Sequence, residues 1–192
     1  MKKPPDNLAM KLLEATDRLP EEGGFDISID EMARIVDVPR ATLYYYFSGK
    51  DDLVEFYMND KLERAAVAIE KAAAIEGDLV VRLEAVLMAI LESLGKYPRM
   101  CVELPAAAKG LESFQSVMAN AERWVVAPVR EVLIEGRSTG VFDVVDPALT
   151  AVALMGALVQ VGMFQVVSTG SIDVAATAEA LVPQLLRGVA AR

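Results

Sequence analysis

Apolar residues recur every three to four positions along almost the whole chain, and no stretch alternates between apolar and polar residues as a half-buried strand would. Four residues with this spacing define the inner face of a first helix: Leu8, Leu12, Ala15 and Leu19. Pro20 and Gly23 follow, and both residue types end helices. The pattern predicts an all-α fold.

The same spacing predicts about nine helices, separated by glycine or proline. Residues 1–6 form a short arm before the first helix that we expect to be mobile. Two short helices follow the first, and a fourth covers about 50–74. The others are expected at about 78–95, 98–108, 111–136, 146–168 and 173–190.

Residues 28 to 47 have the pattern of two short helices joined by a tight turn. Ser28 and Glu31 have the capping-box spacing, in which each side chain bonds the other residue's backbone amide. Asp37 is a turn residue that tolerates a positive φ, and Pro39 suits the first turn of the next helix. This arrangement is typical of a helix-turn-helix.

The second of these short helices combines apolar anchors with outward polar and aromatic groups. Leu43 and Phe47 are four residues apart and face the core, which leaves four residues pointing outward: Arg40, Thr42, Tyr45 and Tyr46. A helix that enters the major groove of DNA needs such a face. Because a guanidinium in the first turn can bond guanine O6 and N7 together, we expect Arg40 to read sequence.

Charge restricts this hypothesis to a local surface. The chain carries a net charge of −9, and residues 1–50 hold seven Lys/Arg against nine Asp/Glu. A general affinity for nucleic acid or for anionic membranes is therefore not expected. Residues 38–50, however, contain Arg40 and Lys50 and no acidic residue.

Cysteine and histidine usage excludes several classes of protein. Cys101 is the only cysteine and there is no histidine, so intramolecular disulfides, imidazole metal sites and Ser-His-Asp triads are excluded. We expect a cytoplasmic protein that is not an enzyme and uses neither a metal nor a cofactor. Cys101 could sense oxidants, or it could be a small buried hydrophobe.

Residues 147–171 carry no charge, and 148–167 are long enough to span a bilayer. Gln160 and Gln165 lie inside this stretch, Asp146 and Asp173 flank it, and no Lys or Arg anchors it. We therefore expect no membrane association, but a helix that is covered on one side by its own core and on the other by a partner subunit.

The stretch ATLYYYFSGKDDL at residues 41–53 resembles the most characteristic segment of the TetR (tetracycline-repressor-like) regulators. The resemblance implies a DNA-binding domain at 1–49 and a ligand-binding and dimerisation domain at 50–192. Three positions depart from the family pattern: Asp37 replaces a turn glycine, Pro39 a capping Ser or Thr, and Tyr46 a frequent histidine.

The resemblance also implies roles for individual residues in binding double-stranded DNA. Thr42 and Tyr44 correspond to phosphate-contacting positions, Tyr45 and Tyr46 to groove-facing ones, and Lys50 to a phosphate-binding lysine at a helix N-terminus. The complete expected set is Ser28, Arg40, Ala41, Thr42, Tyr44, Tyr45, Tyr46 and Lys50. The alternative is that the three tyrosines pack a small domain and Arg40 is only solvated.

In the second domain, soft, aromatic and acidic residues are candidates for an effector pocket. They are Met88, Glu92, Met100, Glu103, Phe114, Met118, Trp124, Met155, Val159 and Met163. The alternative is that the methionines fill the core and the carboxylates face solvent.

The last two helices carry more apolar surface than one subunit can bury, and the resemblance implies that they pair in a homodimer. The expected interface residues are Leu154, Leu158, Val161, Phe164, Leu181 and Leu185, with Gly156 and Gly162 allowing close approach. A dimer would present two third helices to a pseudo-palindromic operator.

Together these features predict a transcriptional repressor that a small lipophilic effector releases from its operator. A ligand-insensitive DNA-binding or protein-binding protein of the same fold is the alternative. An enzyme is disfavoured, because the sequence has no glycine-rich phosphate loop and no nucleophile with an evident base.

Overall fold

A computed structural model describes residues 2–17, 27–98, 102 and 111–190, and the side chains of residues 16, 17 and 111–114 lie outside that description. The predicted end of the first helix at Leu19, Pro20 and Gly23 falls outside the described residues. So does the helix expected at 98–108, apart from Pro98, which lies in a turn, and Val102, which is helical. The all-α prediction is confirmed, since the described residues are helical except for turns and one isolated antiparallel bridge between Phe142 and Ala190.

The first four helices are α1 (Asp6–Asp17), α2 (Ile29–Ile35), α3 (Arg40–Tyr46) and α4 (Lys50–Ala73). They are followed by α5 (Leu79–Lys96), α6 (Leu111–Ala121), a π-helical segment (Glu122–Val126) and α7 (Ala127–Thr139). The last two are α8 (Pro147–Thr169) and α9 (Val174–Val189). The predicted helix at 111–136 is thus one continuous helical stretch that contains a π segment.

The chain divides into two compact units, which we call the N-terminal unit (Met1–Asp60 with Glu103–Val117) and the C-terminal unit (Lys61–Val102 with Met118–Arg192). The break falls inside α4. The division into functional domains at residue 49 stays a prediction.

The N-terminal unit is built on one apolar cluster from α1, α2, α3 and the start of α4. Its buried members are Leu8, Leu12, Ala15, Ile29, Met32, Ala33, Val36, Leu43, Phe47 and Leu53. Phe56 adds an edge-to-face contact with Phe47, at 5.6 Å between ring centroids. Burying this set fixes α3 against α2, because its two anchors, Leu43 and Phe47, are fully enclosed.

In the C-terminal unit α5 packs against α7 and α9, and α7 packs against α8. Each helix contributes its apolar stripe to the core, as Leu87 of α5, Leu133 of α7, Leu158 of α8 and Val182 of α9 illustrate. α8 is long and apolar enough to cross a membrane, but length and composition alone are weak evidence of a membrane-spanning helix. One of its faces packs in this core.

Candidate nucleic-acid interface

The helix that precedes the interface begins with the predicted capping box. Ser28 is the N-cap of α2, its hydroxyl oxygen accepts a hydrogen bond from the Glu31 amide at 3.2 Å, and its own amide donates to Glu31 Oε2 at 2.9 Å. The Ser28 hydroxyl also donates to Glu31 Oε2 at 2.6 Å. A phosphate bound by this hydroxyl would therefore have to replace a carboxylate that already accepts its proton.

The turn between α2 and α3 uses the residues expected of it. Val36 ends α2 by donating to the Met32 carbonyl, and the Val38 amide donates to the Ala33 carbonyl at 3.1 Å. Asp37 has a φ of +51°. Among the described residues it is the only one other than glycine with a positive φ. Aspartate tolerates this left-handed conformation better than most residues, so it can replace the usual turn glycine. Pro39 is the N-cap of α3, one residue before the helix.

The side chains of α3 divide into an inner and an outer sector. Successive residues are rotated by about 100°, so four residues fall within one sector about 140° wide: Arg40, Ala41, Tyr44 and Tyr45. All four are exposed, with Tyr44 at 52% and Tyr45 at 61%. We call Arg40, Ala41, Tyr44 and Tyr45 the exposed sector of α3. Its width suits a helix laid in a groove.

The other predicted DNA-binding residues of α3 lie on its flanks. Thr42 is half-buried, and Tyr46 is half-buried and packs against the apolar cluster. Tyr45 and Tyr46 meet edge to face, at 5.0 Å between ring centroids. Tyr46 therefore holds Tyr45 in place while contributing to the core, which is the structural role that the sequence left open for the tyrosines.

Arg40 is held by an ion pair that the sequence did not predict. Its Nε donates to Asp30 Oδ1 at 2.6 Å, and its Nη2 donates to Asp30 Oδ2. Asp30 belongs to the first turn of α2, and the Arg40 side chain is 66% exposed. Because the carboxylate binds two nitrogens on one edge of the guanidinium, the plane of this group is fixed. The neighbouring edge, formed by Nη1 and the second hydrogen of Nη2, is directed away from Asp30.

Lys50 is exposed at the first position of α4. Asp51 and Asp52 occupy the same turn, and the Asp52 carboxylate accepts a hydrogen bond from the Ser48 amide at 2.7 Å. The positive end of the helix dipole and the lysine favour an anion here, while the two carboxylates oppose it. The site can bind one phosphate only if Lys50 extends beyond Asp51.

The candidate pocket residues of the C-terminal unit do not form one enclosed set among the described residues. Met88, Trp124, Met155, Val159 and Met163 are half-buried, and Met163 packs on the cluster that contains Leu91 and Ile172. Met100 and Glu103 lie outside the described residues, as does the side chain of Phe114. Glu92 and Met118 are exposed, so in this conformation they face solvent rather than an interior pocket.

The described part of the C-terminal unit has a groove with a volume of about 640 Å³. The C-terminal end of α4, the start of α5 and residues from the stretch 123–135 line it. Its charged residues are Glu70, Arg82, Arg123, Glu131 and Glu135. Arg82 donates to Glu135 at 2.6 Å across it. None of the predicted pocket residues lines this groove.

Two of the predicted interface residues lie inside the protomer. Leu154 and Leu158 of α8 are buried, at 5% and 0% exposure, on a helix that packs against α7, and the interface set as a whole stays a prediction. Val161, Leu181 and Leu185 are half-buried, and Phe164 is 70% exposed. α8 also has an exposed apolar face, which the sequence pattern did not distinguish from its buried face. We define this exposed face by Leu149, Val152, Gly156, Phe164 and Val167.

Comparison with known proteins addresses the family directly. Residues 12–56 match the sequence model described as "Bacterial regulatory proteins, tetR family". The N-terminal unit contains a TetR-family domain. The match covers α2, α3 and the start of α4, including the exposed sector of α3 and Arg40. No curated protein matched the chain.

Solved structures show that the TetR-family fold extends over the rest of the chain. The fatty acid degradation regulator FadR from Bacillus halodurans is 20% identical, with a TM-score of 0.81 and 98% of both chains covered. FadR from Bacillus subtilis in complex with stearoyl-CoA is 18% identical, with a TM-score of 0.80, covering 93% of this chain and 98% of that one. The ketosteroid regulator KstR2 of Mycobacterium tuberculosis is 16% identical, with a TM-score of 0.71, covering 100% and 99%.

Proposed function

We propose that this TetR-family transcriptional regulator is a cytoplasmic repressor that binds a pseudo-palindromic DNA operator as a homodimer and leaves it when a small lipophilic effector binds. The exposed sector of α3 carries the proposal. It places an oriented guanidinium and two tyrosines on the outer face of a helix whose opposite face is fully anchored by Leu43 and Phe47.

Residue roles follow from this arrangement. Arg40 reads a guanine in the major groove, because its guanidinium can bond O6 and N7 together. Tyr44 and Tyr45 donate to phosphates or contact base edges beside it, and Lys50 binds one phosphate at the start of α4. Ser28, Ala41 and Thr42 complete the contact surface. The flank position of Tyr46 makes it a support for Tyr45.

Binding to fragments of the upstream DNA of its own gene, measured by fluorescence anisotropy across a salt series, tests the DNA-binding role. Arg40→Ala should reduce the preference for operator over non-operator DNA by about 1–3 kcal/mol, which is the usual worth of a bidentate base contact. Lys50→Ala should weaken binding to every sequence and reduce the salt slope by about 0.9. Arg123→Ala, which removes an exposed arginine of the C-terminal unit, is the control and should change neither quantity.

Effector binding is proposed from the fold and from the names of two proteins that share it. B. subtilis FadR is described in complex with stearoyl-CoA, and KstR2 is described as a ketosteroid regulator. Stearoyl-CoA carries a long apolar acyl chain, and a ketosteroid is largely apolar, so the two share a large apolar part. We infer an effector of that physical class, which would change the tilt of α4, the helix that passes from the N-terminal unit into the C-terminal unit.

Thermal unfolding with long-chain acyl-CoA, a free long-chain fatty acid and a steroid ketone tests effector binding, with coenzyme A alone as the control. A true effector should raise the unfolding temperature and lower operator affinity at the same concentrations, because a ligand shifts an equilibrium only through different affinities for the two states. If none of these compounds does either while the protein still binds its operator, the ligand-insensitive alternative is supported.

A further inference from the structure

The chain before α1 is placed by two consecutive prolines. Pro4 is buried, and the Pro5 carbonyl accepts hydrogen bonds from the amides of Leu8 and Ala9, both at 2.9 Å. Each proline ring fixes φ near −65°, so this connection has far fewer conformations than a glycine-rich linker. The two prolines therefore restrict where Lys2 and Lys3 can lie relative to the start of α1, and the mobility expected of residues 1–6 stays a prediction.

Lys2 lies directly against the exposed sector of α3. Its ammonium nitrogen is 3.8 Å from the centroid of the Tyr45 ring, a cation–π distance. Tyr45 belongs to the exposed sector of α3 and is itself held edge-on by Tyr46. Any duplex that contacts Tyr45 must therefore also come close to Lys2 and to its exposed neighbour Lys3.

The charge of residues 1–50 makes the position of Lys2 significant for DNA binding. Residues 1–50 carry seven Lys/Arg and nine Asp/Glu, a balance of −2, and Asp30 is paired with Arg40 at the centre of the surface. A polyanion approaching α3 thus meets less positive charge than the sequence of α3 suggests. Lys2 beside Tyr45, together with Lys3 next to it in the chain, would offset that deficit at the exposed sector of α3.

We propose that Lys2 and Lys3 form a second DNA-contacting segment, in which each ammonium neutralises one backbone phosphate beside the groove that receives α3. The inference rests on the proposed DNA-binding function. The contact adds affinity but no sequence preference, since an ammonium on a flexible stem binds phosphate as a point charge. The stacking of Lys2 on Tyr45 keeps the segment in position before DNA arrives.

The test compares full-length wild type with Lys2→Gln/Lys3→Gln on operator and non-operator DNA from about 50 to 200 mM salt. Each phosphate contact contributes about 0.9 to the slope of log K against log salt, so the double variant should lose about 1.8. Its affinity deficit relative to wild type should then shrink about tenfold across this range, equally for both DNAs, while the operator preference stays unchanged.

Two control variants separate a contact from a change in overall charge. Lys71→Gln/Lys96→Gln removes two exposed lysines of the C-terminal unit and changes net charge equally, so it should leave the slope as in wild type. Lys2→Arg/Lys3→Arg keeps both charges and should restore the slope. Equal slope losses in the 2/3 and the 71/96 Gln variants, or an unchanged slope in Lys2→Gln/Lys3→Gln, would overturn the inference.

Failure of the inference is distinguishable from failure of the proposed function. If wild type binds no DNA even at low salt, the DNA-binding function itself is wrong. If wild type binds its operator with a measurable preference and Lys2→Gln/Lys3→Gln behaves identically, only the role of this segment is refuted.

Discussion

At the scale of single residues, the ion pair between Arg40 of α3 and Asp30 of α2 affects how Arg40 can recognise DNA. Asp30 accepts from both Nε and Nη2 of Arg40, so it orients the guanidinium before DNA binds. It also places a negative charge beside the DNA. Asp30→Asn should therefore have two opposite effects: stronger binding to all DNA at low salt and a smaller preference for the operator, by about 1 kcal/mol. Competition binding against non-operator DNA measures both.

Asp37→Asn is the matched control for this prediction. Asp37 lies in the turn of the same helix-turn-helix, and asparagine tolerates its φ of +51° at least as well. It removes one negative charge without touching Arg40, so non-specific binding should rise while the operator preference is kept. A full operator preference in Asp30→Asn would show that Asp30 does not orient Arg40.

Local residue patterns predicted local contacts, and distant ones were missed for a physical reason. The capping box of Ser28 and Glu31 and the positive φ of Asp37 depend on residues at most three apart, so spacing and residue type were sufficient. The Arg40–Asp30 pair spans ten residues and depends on how α2 crosses α3. The contact of Lys2 with Tyr45 depends on the whole N-terminal core.

At the scale of elements, the π segment is another feature that hydrophobic spacing did not predict. Periodicity predicted one helix over 111–136, and the helical stretch is present, but the Ala127 amide donates to Glu122, five residues back. Pro128 is the second residue after the segment and has no amide hydrogen for an α-helical bond to the Trp124 carbonyl. The wider turn accommodates the proline ring without ending the helix. Pro128 is the residue from which this irregularity in the helix could have been predicted.

The end of α7 depends on the absence of a side chain at Gly136. A Cβ added there would overlap the ring of Phe142, which is buried over the helix after the left-handed turn at Gly140. We expect Gly136→Ala to destabilise the C-terminal unit by about 1–3 kcal/mol, because overpacking outweighs the better helix propensity of alanine. Urea unfolding followed by the fluorescence of Trp124, the single tryptophan, measures this.

Gly188→Ala provides the comparison for Gly136. Gly188 also lies inside a helix of the C-terminal unit, but a Cβ there meets no atom within 4 Å. Its replacement should leave stability unchanged or raise it by up to about 1 kcal/mol. A stable Gly136→Ala protein would mean that Phe142 can leave its position at little cost.

At the scale of the whole molecule, α8 shows why a buried face and an interface face are hard to separate in sequence. The helix carries no charged residue over its 23 positions, so no polar stripe marks the outside. Leu154 and Leu158 were expected at the interface and lie in the core, whereas Leu149, Val152 and Val167 are exposed. The choice between the faces depends on which side α7 occupies.

The exposed face of α8 supports a second copy of the chain as its partner. From Leu149 to Val167 its members recur at helical spacing, and Gly156 at the centre has open space where a Cβ would be, so a partner helix can approach closely. Phe164→Glu should convert a dimer to a monomer in sedimentation velocity and weaken operator binding, because two half-sites are no longer bound together. Val67→Glu alters an equally exposed apolar residue of α4 and should leave the dimer intact. A dimeric Phe164→Glu protein, or a wild type that stays monomeric at micromolar concentration, would show that this face does not pair the subunits.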